Sequence, residues 1–448
     1  MTRQQLFGFA AAIVISAAVM AQAPVTGGKG ASLADIAGTD TLVTVQLKIG
    51  AEDANVKVDS VANGLLTVVN SRGEKNYYKL SDVKEIRVQG EVVRVRTISS
   101  RVDRGLTDKQ QGTLDRAITR ATELFTNSAA NQPIRVKSAQ VLAMAGSEDA
   151  KKTAIEYLTS LETGNDLYTS LIASGNLYIA GDADVPKESI KQGLASGDRN
   201  IRGLAATLAG LTKDEDSIPD LRRMLQDRAP EISAPAARAL AKLGDRESIP
   251  TLLTMIMERS EERSTAAASA LVKLGGPEIA EQMKLKLPKA EGLAKFRVVS
   301  VLFEMNDPEG LQLMRDEMMK VPSLQYSASL VLAPKGEMKA LQYLRNYLNQ
   351  RYDPTPEFIA RRALATAALI RAGDRTNAGV FQELLDIETP AVQITVLRVL
   401  GTLNVKTLLP ILAPCLESPD PSVSAIACQS AVALAYSDYR DRLGELPL

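Results

Sequence analysis

Few side chains in this sequence have types and spacing suited to chemistry. Histidine is absent. That removes Ser-His and Cys-His nucleophiles, histidine metal ligation and histidine acid-base work together. The cysteines are Cys415 and Cys428. They would form a disulfide in an oxidising compartment or serve as two small buried hydrophobes, and two soft ligands do not make a metal site. Gly27-Gly28-Lys29-Gly30 places a lysine among glycines but without P-loop spacing. Glu258, Glu261 and Glu262, with Arg259 and Arg263, read as a solvated charge run, and Arg361-Arg362 as a helix face near solvent or a groove. No catalytic residue, cofactor site or metal ligand set emerges. What remains is a series of cations, Arg222, Arg223, Lys284, Lys286, Arg315 and Arg345. Their natural use is contact with an acidic protein segment.

Overall charge narrows the partner further. Lysine plus arginine (53) equals aspartate plus glutamate (53). Such a chain exerts no long-range pull on nucleic acid or an anionic membrane. Aromatics are 4% and tryptophan is absent, so stacking platforms for single strands are not expected. Hydrophobic residues at 45% are ordinary for a folded protein, and 448 residues are too many for one compact core.

The elements that must position those cations show themselves by repetition. Leu243, Leu274 and Met305 stand 31 residues apart (274 − 243, 305 − 274). Stepping back 7, 4 and 3 from each gives Ala236/Ala239/Leu240, Ala267/Ala270/Leu271 and Val298/Val301/Leu302. Val396, Val399, Leu400 and Leu403 repeat the stripe. These are one face of a 3.6-residue period. A second stripe follows each first: Ile218/Leu221/Leu225, Ile249/Leu252/Ile256, Ala280/Met283/Leu287, Leu311/Met314/Met318 and Leu409/Leu412/Leu416. Pro219, Pro250 and Pro410 sit early in this second helix, where proline is tolerated. Gly244, Gly275, Asn306 and Gly373 between the stripes allow a left-handed cap. Each unit is two short amphipathic helices that cannot bury both stripes alone. Stacked, they share one continuous core.

The pattern resembles HEAT repeats of the short, phycobilisome-lyase-like type. Their motif of aspartate, aliphatic, arginine and an alanine-rich helix is matched best at Asp198, Ile201, Arg202, Ala205 and Ala206. Asn131, Ile134 and Arg135 are a looser copy, and at Asp420/Val423 the arginine becomes Ser424. About ten units over 131–448 are expected, poorest at 165–190 and at the insert Asn346–Pro356. The fold class expected is mainly α, a right-handed α-solenoid of HEAT-like hairpins. Residues 105–130, with Leu114, Ile118, Ala121 and Phe125 inward, read as its amino-terminal capping helix. The lyase resemblance implies chromophore attachment, but that work belongs with cytoplasmic pigment proteins, and the secretory layout of the amino terminus argues against it.

Before the repeats the period is two. Val43, Val45, Leu47 and Ile49 alternate with polar residues, and further runs are Val56–Val61, Leu65–Asn70, Asn76–Leu80, Ile86–Val88 and Val92–Ile98. Asn63-Gly64 and Arg72-Gly73 are turn signals. Residues 64–86 resemble SH3-like or Sm-like small barrels, so 40–98 is expected to be a small β-barrel that docks a second protein or orients the array. At the amino terminus Arg3, the apolar stretch Leu6–Met20 and Ala21-Gln22-Ala23 have the layout of a secretory signal over 1–23, followed by a flexible linker over 24–39. The chain thus reads as an exported bacterial protein, periplasmic or secreted, with no stable membrane insertion once the signal is removed. Its expected role is a non-catalytic scaffold or adaptor holding a protein partner in the groove lined by the second helices. The alternative is a small-ligand or glycan binder, which the scarcity of aromatics disfavours.

Overall fold

The computed structural model describes residues 42–47, 52–62, 65–72, 75–79, 83–88, 91–93, 106–181, 184–351 and 355–436. The signal, the linker, the turn signal at Asn63-Gly64 and the last twelve residues lie outside them. The chain divides into two compact units, one ending at Thr107 and one running from Asp108.

In the first unit, six antiparallel strands follow one another: β1 (Leu42–Leu47), β2 (Glu52–Ala62), β3 (Leu65–Val69), β4 (Lys75–Lys79), β5 (Val83–Val88) and β6 (Glu91–Val93). Their order in the sheet is β4-β3-β2-β1-β5-β6. The alternation works as read: Val56 and Val58 are buried while Lys57 and Asp59 between them are exposed. Val58 pairs with Val68, so both strands bury the same face. The expected barrel is not what forms among the described residues. Closure would require β4 and β6 to pair with a fixed stagger. They are instead the two edges of an open sheet, and β6 is only three residues long.

The second unit contains twenty α-helices among the described residues. They are α1 (Asp108–Thr126), α2 (Gln132–Ala145), α3 (Glu148–Glu162), α4 (Leu167–Ala180), α5 (Lys187–Leu194), α6 (Arg199–Thr212) and α7 (Ile218–Leu225). Next come α8 (Pro230–Leu243), α9 (Ile249–Met255), α10 (Glu261–Leu274), α11 (Pro277–Lys286), α12 (Gly292–Glu304), α13 (Pro308–Asp316) and α14 (Gln325–Leu332). The last are α15 (Met338–Leu348), α16 (Pro356–Arg371), α17 (Gly379–Leu385), α18 (Pro390–Gly401), α19 (Ala413–Leu416, preceded by a 3-10 helix, Lys406–Leu412) and α20 (Pro421–Ala435). From α2 onward, even-numbered helices are the first and odd-numbered helices the second member of each hairpin.

The motif residues act at helix starts. Asn131, Asp198 and Asp420 are N-caps, their side chains accepting from the amides of Ile134, of Asn200 and Ile201, and of Ser422 and Val423. At the turns, Gly244 (φ 73°) and Asn306 (φ 59°) take the left-handed conformation that lets one helix end and the chain reverse. Even the poorly matching stretch 165–190 is a hairpin, started by the Asp166 cap and turned at Gly181 (φ 77°). Both stripes point inward. Leu240, Leu271 and Leu302 are fully buried, as are Leu221, Leu252 and Met283, and one cluster runs unbroken from Leu171 to Leu302.

First helices pack directly against first helices along the row except between α12 and α14, which are joined through α13 and the 3-10 helix Met318–Lys320. Second helices touch one another little along the row, α9 with α11 only slightly, and pack closely only at the junction of the two chain ends. Small residues allow the tight row: a Cβ at Gly210 would lie 2.7 Å from the Cα of Ala239 on the neighbouring helix. The first helices pack on one another and are buried over most of their length, while the second helices keep an exposed face, so in the closed array the first helices form the inner row and the second helices the outer.

The two ends of the array meet. α20 packs on both α1 and α2, and the 3-10 helix before α19 also touches α1. Leu124, Ile134 and Ala425 form a buried cluster across the junction. Gln429 Nε2 donates to Gln140 Oε1 at 2.5 Å, Arg120 Nη2 donates to the Ser418 carbonyl at 3.4 Å, and Arg116 pairs with Glu417 at 3.5 Å. Helix α1 is therefore not a terminal cap with a polar outer face. It stands where the second helix of an α20 hairpin would stand, and the array closes on itself. A sequence read unit by unit shows α1 as amphipathic, which a cap and a closing helix share.

Candidate partner-binding surface

The cations on the second helices are largely joined to the next unit. Arg222 on α7 donates through Nε to Asp245 Oδ2 at 3.0 Å and also pairs with Glu247. Lys284 on α11 meets Asp307 Oδ2 at 2.9 Å, Arg345 on α15 meets Asp374 Oδ2 at 2.7 Å, and Arg315 on α13 pairs with Glu337. The acceptors sit at the turn of the following hairpin. Asp245 and Asp374 are nearly buried there, so each pair links unit to unit. Burial pushes the Asp307 carboxyl up, but Lys284 and the amides of Gly310 and Glu309 outweigh it and hold its pKa below the usual range. Asp374 is lowered by hydrogen bonds from Thr376 and by Arg345. Arg223 pairs within its own helix with Asp220. Of the six, Lys286 alone has no ion pair among the described residues. The sequence shows which face a cation lies on, but not the carboxylate 23 residues on (245 − 222, 307 − 284) that takes it up.

A second set of cations is structural too. Arg135 Nε donates to the Phe125 carbonyl at 3.2 Å and Arg202 Nη1 to the Ser196 carbonyl at 2.6 Å. Arg362 Nη1 donates to the Leu348 carbonyl at 2.8 Å. Arg297 donates to the Ile256 and Glu258 carbonyls at 3.0 and 2.9 Å. Arg263 joins the Asp227 carbonyl, Ser233 Oγ and the Glu258 carboxylate. Each of these arginines lies on a first helix and meets carbonyls at or just past the end of a second helix, where the helix dipole is negative. Arg135 does this to α1, which confirms α1 as a second helix in all but chain order. Arg263 and Arg362 are thus buried rather than solvated, while Arg361 stacks on Tyr326 at 4.9 Å from the ring centroid.

Of the two readings of the cysteines, two buried thiols rather than a disulfide is what the structure has. Cys415 on α19 and Cys428 on α20 are separate buried thiols. Burial pushes Cys415 up to about 11 and Cys428 up to about 12, so neither is a nucleophile at neutral pH. No metal-competent group of carboxylates and cysteines exists among the described residues.

The inner row holds what sequence reasoning passed over. Thr207, Arg238, Ser269 and Ser300 recur every 31 residues (238 − 207, 269 − 238, 300 − 269) and keep contact with solvent on helices that are otherwise buried at mid-length. The period itself was the available signal. Where the ends meet, Lys137 on α2 and Arg398 on α18 flank α20. Burial first, and then the charge of Arg398, lower the Lys137 pKa. Arg238 is lowered by burial, partly offset by Glu262. Beside Lys137 the Gln140 Nε2 group is buried without a hydrogen-bond partner.

Comparison with known protein families identifies the repeats in part of the chain. Residues 188–272 match the family model described as HEAT repeats. No curated protein matches the chain. Among solved structures, an engineered protein from a structural-genomics consortium is 18% identical, over 71% of this chain and 98% of its own, with a TM-score of 0.27. Human deoxyhypusine hydroxylase in complex with glycerol is 16% identical, over 56% of this chain and 96% of its own, with a TM-score of 0.28.

Proposed function

We propose that this chain is an exported, non-catalytic scaffold or adaptor whose inner helix row holds an acidic segment of a partner protein. The HEAT repeats support a protein-interaction role. The export reading rests on Leu6–Met20 and Ala21-Gln22-Ala23 alone. The observation that carries the binding reading is the Lys137–Arg398 pair: two like charges held near each other, with Lys137 half-buried. An arriving carboxylate relieves that repulsion and is attracted more strongly than it would be by a fully solvated lysine. The outer cations first singled out are less suited, because five of the six already face carboxylates.

The test is charge reversal of Lys137, Arg238 and Arg398 together. Binding of a fluorescent glutamate-rich peptide, followed by anisotropy at low salt, is expected to weaken by about tenfold or more, since each partly buried ion pair contributes on the order of 1 kcal/mol. Circular dichroism should stay strongly helical. Unchanged peptide affinity in a folded variant would refute the inner-row assignment.

A further inference from the structure

The exposed large hydrophobic side chains are not scattered. Among the described residues they are Leu285, Leu293, Val321, Met338 and Phe358. Four of the five lie at connections between units. Leu285 (67% exposed) is in the last turn of α11, Leu293 (45%) in the first turn of α12, Val321 in the link to α14, and Phe358 in the first turn of α16. In an antiparallel hairpin array the end of a second helix and the start of the next first helix share one edge. The four side chains therefore stand in a row along a single edge of successive units. Met338, at the start of α15, is on the other edge.

The same edge carries cations. Lys286, Lys289 and Lys320 lie in these connections, Lys289 and Lys320 exposed, and none has an ion pair among the described residues. Glu291 and Asp316 are the acidic residues at these connections without an ion pair among the described residues, against Lys286, Lys289 and Lys320, so the described charges leave a small positive excess on this edge although the whole chain is neutral. Because the ends of the array meet, the row of units has little net rise. The connections of successive units follow one another along that edge and form a rim. Exposed leucine, valine and phenylalanine flanked by lysines without ion pairs among the described residues fit an anionic surface with an apolar layer beneath it.

We infer that the rim from α11 to α16 docks on an anionic lipid bilayer, its apolar side chains entering the headgroup boundary and its lysines meeting lipid phosphates. This is peripheral contact, and no helix among the described residues is long and apolar enough to cross a membrane. It is independent of the inner-row reading, since it uses none of the same residues.

The test is co-sedimentation with vesicles of phosphatidylglycerol and phosphatidylcholine, against vesicles of phosphatidylcholine alone. Two variants are compared with the parent in the same full chain, so that any contribution of residues 1–41 is common to all. One is Leu285→Ser/Leu293→Ser/Val321→Ser/Phe358→Ser, and the other is Lys286→Gln/Lys289→Gln/Lys320→Gln. All seven positions are solvent-exposed or at connections, so both variants should keep the parent's helical spectrum. The parent is expected to prefer the anionic vesicles, with the preference falling as salt rises. Each variant should lower that binding by roughly 100-fold, three surface lysines or a few buried apolar side chains each having that reach. Equal binding to both vesicle types, or anionic binding unchanged in both folded variants, overturns the proposal. So does loss of glutamate-rich peptide binding in the rim variants with vesicle binding intact, which would make the rim a peptide site.

Discussion

Leu271→Asp is expected to unfold much of the helical unit at moderate temperature. Leu271 is fully buried in the cluster that runs from Leu171 to Leu302, on a first helix packed between two others. The substitution removes a leucine from a closed core and places a carboxylate where no cation lies in the apolar stripe. Core truncation alone costs about 2–5 kcal/mol, and the buried charge adds several more. In a repeat array the loss spreads, because each unit is stable only through its neighbours. The carboxyl can escape part of the cost by staying protonated. Its folded-state pKa would be raised above the unfolded value, so the added penalty is small below the unfolded pKa and grows as pH rises through the folded one. The variant should accordingly be less destabilised near pH 4 than at pH 7. Thermal melts by circular dichroism at both values check this. A melting temperature within a degree or two of the parent would mean that position 271 does not face the core.

Ala121→Arg is expected to open the ring without melting all of it. Ala121 is fully buried on α1, the helix that fills the gap between α20 and α2. A side chain of that size has no space there, and overpacking with a buried charge costs about 3 kcal/mol or more. The junction also carries polar groups left unsatisfied by the packing, Arg120 Nε and Gln140 Nε2 being buried there without hydrogen-bond partners. Hydrogen exchange should show protection falling first in α1, α2 and α20, while α6 to α10 remain protected. Uniform loss across the array would indicate a generic core defect and not a seam.

Those two substitutions mark the reach of sequence reasoning here. The position of Leu271 follows from a 31-residue period kept by four apolar positions, and both stripes and the left-handed turns at Gly244 and Asn306 fall where that period places them. The role of Ala121 does not. Ring closure depends on contacts 289 and 298 residues apart in the chain, made by common side chains such as Gln140, Gln429 and Arg120. Nothing local distinguishes a helix that closes an array from one that caps it. The partners of the second-helix cations escape sequence reasoning for a related reason. Exposure on a helix was visible for Arg222 and Lys284, but Asp245 and Asp307 in the next unit were not recognised as their partners. The β-strands were legible by alternation, yet alternation does not say whether edges such as β4 and β6 pair.

The most direct test of the closed array is a cross-link across its seam. Arg116 and Glu417 are exposed, form an ion pair at 3.5 Å, and are 301 residues apart (417 − 116). In an Arg116→Cys/Glu417→Cys variant, the native Cys415 and Cys428 are buried thiols with raised pKa and should stay unmodified. A short bis-maleimide, added at low protein concentration, is predicted to join positions 116 and 417 within one molecule, seen as a cross-linked peptide pair from monomeric protein. Cross-links only between molecules, or two separately capped cysteines, would show that the ends stand apart and that the array is an open solenoid.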